Sequence, residues 1–439
     1  MLREFTAPKR RPPVLIDAPS HHLIPSSRGR ARRKEETVTD HRATQEGATR
    51  WGMLGLAWLL YFGFAVTAAS LVPIITPVRA DLGLSYSQVG IILGTWQLVY
   101  IGAALPVGSL IDRYGAKPCL FIGMLLIAAS AAARGLAVDF WTLVLAVALL
   151  GLGGPVISIG LPKLIAQWFT DHHRATASGI YVTGSQVGNV AVLSLSNIVV
   201  LPLVGHDWRH AMFTFGALGL TIAVAWLLLG RDASSTERME SGDLGILAGI
   251  RRVVRVKGVW PVMIIGMSGF IASHGFRNWL PQILESKGAD ADAAGVLAGA
   301  AAVAGIAGSV IVMRLVQRVT RSAMAQILLA VAGVTLAAIP FLDGPVLVGV
   351  LTVESFAAAA LMPLMMNTLM EMPQIGPALM GAAGGLYFSI GEIGGFLGPA
   401  LIGLLADLTG DFAVGVLLVA GIMLVMVIPA RRLQTDEPL

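Results

Sequence analysis

The sequence predicts an all-α membrane protein with twelve transmembrane helices in two six-helix bundles, and three observations support this prediction. Of the 439 residues, 55% are hydrophobic and only 13% are charged, whereas soluble domains have about 25% charged residues. Apolar stretches of about 20 residues, the length that crosses a bilayer, recur beyond Arg50. The two halves of the chain also resemble each other at a nearly constant spacing.

The apolar stretches are separated mostly by short connections that contain glycine, proline or charge. We predict spans at 51–77, 87–110, 118–137, 140–168, 175–204, 209–230, 259–284, 292–314, 322–341, 345–370, 378–405 and 412–430. The predicted domains are a disordered basic tail (1–50), a first bundle (51–230), a polar linker (231–258), a second bundle (259–430) and a short tail (431–439).

The distribution of positive charge predicts which side of the membrane the termini occupy. An even number of spans places both termini on one side, and that side receives 26 of the 31 lysines and arginines. Without the 11 in the tail, the count is still 15 against 5. Cytoplasmic loops carry this excess, so we predict cytoplasmic termini in a plasma (bacterial inner) membrane. The same asymmetry explains the basic charge without a nucleic-acid partner.

The chain lacks the sequence signals of an enzyme or a metalloprotein. Its single cysteine, Cys119, excludes an intramolecular disulfide and a cysteine-cluster metal site. It contains no G-x-x-x-x-G-K-[ST] phosphate loop, no H-E-x-x-H motif and no G-x-S-x-G elbow. We therefore predict no enzymatic activity, no cofactor and no bound metal.

An internal repeat relates the two halves. Leu71–Ile75 matches Trp279–Ile283 at an offset of 208, and two further matches follow in spans 2/8 and 5/11. These join Leu110 and Arg113 to Leu315 and Arg318, and Gly179–Gly188 to Gly385–Gly394. Because six helices return the chain to the same side, the halves should be related by an axis along the membrane normal.

The loop after span 2 carries a complete motif, formed by Gly108, Leu110, Asp112, Arg113, Gly115 and Lys117. It resembles the G-x-L-x-D-R-x-G-x-[RK] signature of the major facilitator superfamily. Gly108 allows close helix approach, and Gly115 can adopt a positive φ. Asp112 is expected to contact the other half and latch an outward-open state. In the second half, Gln317 and Thr320 replace the aspartate and the glycine, so the latch should be one-sided.

A narrower resemblance lies in three segments, Asp81–Gln97, Trp279–Leu284 and Gly385–Pro399. They look like the cyanate/nitroimidazole-type permeases, near the nitrate/nitrite porters. This resemblance implies a secondary transporter that alternately exposes one central site to the two sides. Spans 2 and 8 lack the arginines that a nitrate porter would imply, so nitrate itself is not the expected substrate.

Polar residues within the spans are candidates for solute binding, because a charge in the bilayer needs a cavity or a partner. His274, Arg277 and Asn278 share one face of span 7. We expect Arg277 to attract an anion; the alternative is an arginine whose head reaches the outer headgroups. Further candidates for the cavity wall are Gln97, Tyr61, Trp96 and Gln186.

Three ionisable residues in the spans are candidates for proton coupling: Glu392, Glu354 and His274. Glu392 matches the neutral Gln186 in the repeat, so the fold does not require an acid at that position. The alternatives for Glu392 are a structural hydrogen bond and an ion pair with Arg277 or His274.

These observations together predict a proton-coupled symporter of a small anion or polar organic solute, acting as a monomer in the lipid bilayer. One alternative is a proton-driven efflux carrier for a hydrophobic toxin, which the methionines of span 10 favour (Met362, Met365 and Met366). Another is a membrane sensor or scaffold that does not transport.

Overall fold

The computed structural model describes residues 49–169, 171–232, 246–316 and 318–433. Most of the predicted basic tail, the middle of the predicted linker, Gln317 and the last six residues lie outside this part. Contacts divide the chain into Met1–Trp51 and Gly52–Leu439, and everything below concerns the second unit.

Twelve helices in the described residues are long and apolar enough to span a membrane, which confirms the predicted number. They are α1 (Thr49–Leu82), α2 (Tyr86–Tyr114), α3 (Ala116–Gly135), α4 (Phe140–Trp168), α5 (His173–Leu203), α6 (Trp208–Leu229), α7 (Val259–Ser286), α8 (Ala291–Leu315), α9 (Arg321–Phe341), α10 (Gly344–Met370), α11 (Leu379–Thr409) and α12 (Ala413–Ala430). A short helix, Ile246–Val253, precedes α7 and packs on α11.

Local sequence signals set several helix ends. The Ser85 side chain accepts a hydrogen bond from the backbone N–H of Gln88, and the Gln88 side chain accepts one from the Ser85 N–H. This capping box satisfies donors that the first turn of α2 leaves unpaired. Asp139 and Thr142 form the same arrangement before α4. At the other end of α2, Gly115 adopts a φ of +91°, a region that favours glycine.

Three of the helices change their winding before they end. In α1, a turn leads into a 3₁₀ segment at Val72–Ile74. In α5, Ser196–Val200 is π-helical, and in α7 the π segment is Ile271–Phe276. The π segments, whose hydrogen bonds join residues i and i+5, are wider than an α-helix and are frequent at functional sites. The π segment of α7 contains His274, and Arg277 follows it directly.

The helices pack as two six-helix bundles, as the sequence predicts. In the first, α3 packs on α4 and α6, and α2 packs on α4; in the second, α8 packs on α10, and α9 on α10 and α12. Between the halves, α2 contacts α11 and α5 contacts α8. A two-fold exchange of the halves turns the first of these pairs into the second, which agrees with the internal repeat.

Glycines at repeated positions allow these two crossings between the halves. A Cβ at Gly90 of α2 would lie 2.9 Å from Cα of Ala400 in α11 and still closer to the carbonyl oxygen of Pro399. A Cβ at Gly295 of α8 would lie 2.6 Å from the carbonyl oxygen of Leu193 in α5. Gly90 and Gly295 are separated by 205 residues, as are Gly94 and Gly299 one turn later. Small residues are what allow helix backbones to touch in a membrane.

The halves are joined at one end of the bundle. We call the end where the chain passes from α6 to α7 the linker face, and the opposite end the far face. Within the described residues, the hydrogen bonds between the two halves lie at the far face. They join Thr76 to Glu285 (2.6 Å), Val72 to Gln282 (3.1 Å), Tyr86 and Ser87 to Asp407 (2.9 and 2.5 Å), and Asn197 to Ala291 (2.8 Å).

Candidate solute-binding site

A cavity of about 240 Å³ lies between the two bundles, on the linker-face side of the far-face contacts. Helices α1, α2 and α5 line it from the first half, and α7 and α8 line it from the second. Its polar wall is formed by Asn189, Ser273, His274, Arg277 and Asn278, and its aromatic wall by Phe64 and Trp96. The π segment of α7 and the residues after it thus supply most of the polar groups.

A second cavity, of about 260 Å³, adjoins the first and lies between α5, α7, α8 and α10. Its polar side chains are Ser185, Gln186, Asn189, Ser273, Arg277 and Ser309. Asn189, Ser273 and Arg277 line both cavities, so the guanidinium group of Arg277 stands where the two spaces meet. Gln186 lines only the second cavity, and Trp96, His274 and Asn278 line only the first.

Arg277 has no hydrogen bond and no ion pair with another described residue. Its charge interacts with the carboxyl group of Glu354 in α10, which is 1% exposed and accepts a hydrogen bond from the Ser355 hydroxyl at 3.1 Å. A guanidinium group presents five hydrogen-bond donors. Holding a guanidinium group without a partner inside a membrane protein costs free energy. The group is therefore available to a bidentate anion entering the cavity.

Three other polar side chains of the cavity walls, Asn189, Ser273 and Asn278, likewise form no side-chain hydrogen bond with the described part of the chain. A buried polar group is normally paired with protein or water. Together with Arg277, they offer one cation and several neutral donors and acceptors on facing helices. This set suits a small solute that carries a carboxylate and further polar groups.

Aromatic rings separate this site from the first bundle. The Trp96 ring meets those of His274 and Phe64 edge to face, at centroid distances of 5.9 and 6.1 Å. Tyr61, a predicted solute ligand, lies outside both cavities. Its ring stacks on Phe64 at 6.0 Å and lies 5.8 Å from that of Tyr181. Tyr61 thus supports the aromatic wall from behind.

Gln97 and Glu392 lie beside the cavities rather than in their walls. They are 0% and 6% exposed, on α2 and α11 respectively. Neither amide atom of Gln97, nor Oε2 of Glu392, has a hydrogen-bond partner among the described residues. Glu392 forms no ion pair with Arg277 or His274, although an ion pair was one alternative for it.

The motif lies in the last turns of α2 and the start of α3, because α2 continues to Tyr114 and not to residue 110 as predicted, and its side chains bond within their own half. The carboxylate of Asp112 accepts a hydrogen bond from Nζ of Lys163 in α4 at 2.7 Å, and Lys163 also donates to the Gly108 carbonyl at 3.0 Å. The backbone N–H of Lys117 donates to Asp232, just after α6 (2.8 Å). Arg113 stacks over the neighbouring Tyr114 ring at 5.3 Å. The expected contact of Asp112 with the second half is absent from the described residues.

Residues 57–399 match the model of the Major Facilitator Superfamily. The chain belongs to this superfamily. Its fold also resembles that of a solved structure: a bacterial homolog of the human lysosomal transporter Spinster, in an inward-facing and unoccupied conformation, superimposes with a TM-score of 0.74. That likeness covers 88% of this chain and 96% of the other, at 16% sequence identity.

Several curated relatives match part of the chain. The "Probable L-galactonate transporter" of Escherichia coli K12 is 29% identical over 224 residues, which cover 48% of each protein. The hexuronate transporter of Bacillus subtilis 168 is 30% identical, over 34% of this chain and 35% of its own. The multidrug resistance protein MdtH of Yersinia pestis (strain Pestoides F) is 31% identical, over 46% and 51%. The chain thus matches about half or less of each relative's length.

Proposed function

We propose that the protein is a proton-coupled secondary transporter that carries a small organic anion across a membrane by alternating access. The observation that carries this proposal is the unpaired guanidinium group of Arg277, which stands between two polar cavities at the interface of the two halves. A carboxylate entering from either cavity would give this group the bidentate partner that it lacks.

The remaining cavity groups fit the rest of such a solute. Asn189 and Ser273 line both cavities beside Arg277 and are free to bond hydroxyl groups. L-galactonate and hexuronates, the substrates in the names of two relatives, are carboxylates with several hydroxyl groups. The two relatives therefore support a polyhydroxylated organic acid as the substrate class.

The proton-coupling candidates occupy two places. The carboxyl group of Glu354 interacts with the charge of Arg277 without forming an ion pair, so a solute carboxylate on Arg277 would compete with it. Such competition ties proton uptake by Glu354 to anion binding. Glu392 lies beside Gly395 of α11, where His274, which lines the first cavity, also packs.

The excess of lysine and arginine at the linker face supports the proposal that this face, and both termini, lie in the cytoplasm. With this orientation the structure represents an inward-open state, because the hydrogen bonds that join the halves close the far face. Asp112 then pairs with Lys163 while its contact with the second half is open. We propose the bacterial inner membrane as the location and a monomer as the working unit, since both cavities form within one chain.

The second candidate function is efflux of a hydrophobic toxin. Met362 lines the second cavity, and MdtH is a multidrug resistance protein by name. Methionine suits adaptable apolar binding. The unpaired Arg277 favours the first candidate, because a hydrophobic solute would leave its charge uncompensated. A sensor or scaffold would need neither the polar cavities nor the complete motif at Gly108–Lys117.

The test is transport in proteoliposomes under an imposed pH gradient. The panel contains an aldonate, a uronate, the neutral parent sugar and a lipophilic cation. We expect accumulation of a carboxylate solute when the interior is alkaline, and none of the neutral sugar. Transport of the lipophilic cation alone would establish the efflux alternative, and no flux of any solute would contradict transport of this class.

A further inference from the structure

A second polar site, apart from the cavities, lies where α2 crosses α11. Three side chains converge there on the backbone of Gly395. A Cβ at Gly395 would lie 3.0 Å from Oε2 of Glu392, 3.2 Å from Cγ of Gln97 and 3.2 Å from Cδ2 of His274. Because all three atoms lie within 3.2 Å of one point, each is within about 6 Å of the others. Residues from both halves therefore meet at this position.

The polar atoms of this site lack partners. Gln97 is fully buried with an unpaired donor and an unpaired acceptor, and Glu392 has an unpaired carboxylate oxygen. Leaving a buried polar group unpaired costs about 1–3 kcal/mol, and more when it is charged. The side chains of Gln97 and Glu392 meet at Gly395, so their unpaired atoms are placed to share a small polar occupant such as a water, which needs two to four partners.

The fold does not require polar residues here. The two-fold relation that turns α2 into α8 and α11 into α5 carries Gln97 to Ala302, and Glu392 to Gln186. Ala302 and Gln186 form the wall of the open second cavity instead. The crossing of α5 and α8 thus has Ala302 and Gln186 at these positions. The crossing of α2 and α11 has the buried side chains of Gln97 and Glu392, whose polar atoms lack partners.

We propose that Gln97 and Glu392 bind one water molecule and, with it, the coupling proton, at a site that forms only while α2 and α11 are in contact. Hydronium gives its proton to the carboxylate of Glu392, which leaves a neutral carboxyl and a water held by the Gln97 amide. His274, which also lines the first cavity, connects this water to the solute site. The inference rests on the proposed proton-coupled transport and assigns its proton site.

The ionisable neighbours of Glu392 are few. Tyr100 on α2 interacts with it electrostatically, while its hydroxyl is bonded to Ser158 at 2.7 Å. On α7, His274 also lies against Gly395, and the charge of Arg277 acts on His274. The described residues of the other packed helices place no ionisable group against Glu392. Protonation at this site is therefore governed by the amide and the imidazole.

Infrared difference spectra, recorded between neutral and acidic pH on the purified protein, test the site without transport. We expect the carbonyl stretch of a protonated carboxyl in the wild type, its loss in Glu392→Gln, and a shift of its frequency in Gln97→Ala, which lacks the amide. Glu354→Gln is the matched comparison: it removes the contribution of the other buried acid and should leave the part of the band that Gln97→Ala shifts. A band that persists unchanged in Glu392→Gln would overturn the proposal.

Proteoliposome assays separate this proposal from the proposed function. Exchange of labelled for unlabelled solute needs no net proton movement, whereas accumulation driven by a pH gradient does. Glu392→Gln should lose accumulation by a much larger factor than it loses exchange. Wild-type protein that neither exchanges nor accumulates any solute refutes the proposed function itself, while accumulation by Glu392→Gln refutes only the proton site. Accumulation that follows a Na⁺ gradient instead would also overturn it.

Gly395→Ala tests the convergence of the three side chains. Its methyl group would crowd all of them, so we expect accumulation to fall at least tenfold while exchange persists. Gly385→Ala, on the same helix, meets no atom within 4 Å and is the matched control.

Gln97→Ala should move the midpoint of the pH profile of uptake by about one pH unit to lower pH, the equivalent of one hydrogen bond worth about 1.4 kcal/mol. An unmoved midpoint would exclude Gln97 from the site.

Discussion

Replacing Arg277 with glutamine should separate solute binding from folding. The guanidinium group lines both cavities and has no hydrogen bond or ion pair within the described residues. In the empty protein the interaction with the Glu354 carboxyl is not an ion pair and compensates only part of the removal of this charge from water. Arg277→Gln should unfold at the same temperature as the wild type or a higher one, while its solute binding fails.

The expected loss follows from the bonds that the arginine can make. A bidentate carboxylate would receive two charge-assisted hydrogen bonds, each worth about 1.5–3 kcal/mol. We take the lower value for each bond because the group faces a wet cavity. The two bonds together then contribute about 3 kcal/mol to the binding free energy. At 1.36 kcal/mol for each factor of ten, the dissociation constant should rise by about two orders of magnitude. Arg277→Lys keeps the charge but loses the planar pair of donors that binds a carboxylate through two hydrogen bonds, so the dissociation constant should rise about tenfold.

The assay is the stabilisation of purified protein by candidate carboxylates during thermal unfolding, since a ligand that binds only the folded state raises its stability with concentration. The control is Arg314→Gln, which removes the same charge from an exposed position at the end of α8. Unchanged affinity in Arg277→Gln would refute the assignment. A large loss of stability without ligand would instead show that Arg277 is a structural residue.

Three further predictions concern the gates and the loops. Asn197→Ala removes hydrogen bonds to the carbonyls of Pro73 and Ala291 and should weaken far-face closure by about 1–2 kcal/mol; spin-label distances across that face should lengthen, and unchanged distances would contradict this. Asp112→Asn breaks only a partly exposed pair with Lys163, so the unfolding temperature should stay nearly constant while transport falls severalfold; equal losses of both would exclude a gating role. The backbone N–H of Arg209 donates to Asp207 and keeps the pKa of that carboxyl below its usual value. The ionised carboxylate therefore stabilises the folded protein fully at a pH above the usual pKa. This contribution is lost as the pH falls through the lowered pKa. Asp207→Ala should therefore cost about 0.5–1 kcal/mol at pH 7 and nothing in strong acid, which thermal unfolding at the two pH values would check.

The fold was predictable because its signals are long and independent. Hydropathy fixes the number of spans, since lipid leaves the backbone no alternative to helices. The offset of 205 between Leu110 and Leu315 also relates Gly90 to Gly295 and Gly94 to Gly299, the glycines of the two crossings. That glycine repeat is visible in the sequence, and it could have identified the crossings in advance.

The site was predictable only in part. The shared face of His274, Arg277 and Asn278 follows from helical spacing, and the structure brings all three to one cavity. The π-helical winding of α7 at Ile271–Phe276 could not be predicted, because this segment contains no proline. The pairing of Asp112 with Lys163 depends on which state the bundle adopts. A lysine in an otherwise apolar span is a signal for such a partner, but it does not specify the state.

Contacts between helices account for the remaining difference. Tyr61 and Gln97 lie on spans that line the cavity, yet both side chains point away from it. Tyr61 packs behind Phe64, and Gln97 faces α11. Hydropathy is similar on all sides of a buried membrane helix, so it does not show which side faces a neighbour and which faces a cavity.

Alternating access is tested most directly by locking the far face. Thr76 of α1 and Glu285 of α7 touch across the two halves. Replacing both with cysteine, after Cys119→Ser has removed the one native thiol, should give a pair that forms a disulfide under oxidation. We expect the disulfide to abolish transport in proteoliposomes, to leave carboxylate binding from the linker face intact, and to be reversed by reductant. Transport at the full rate with the disulfide closed would contradict the account.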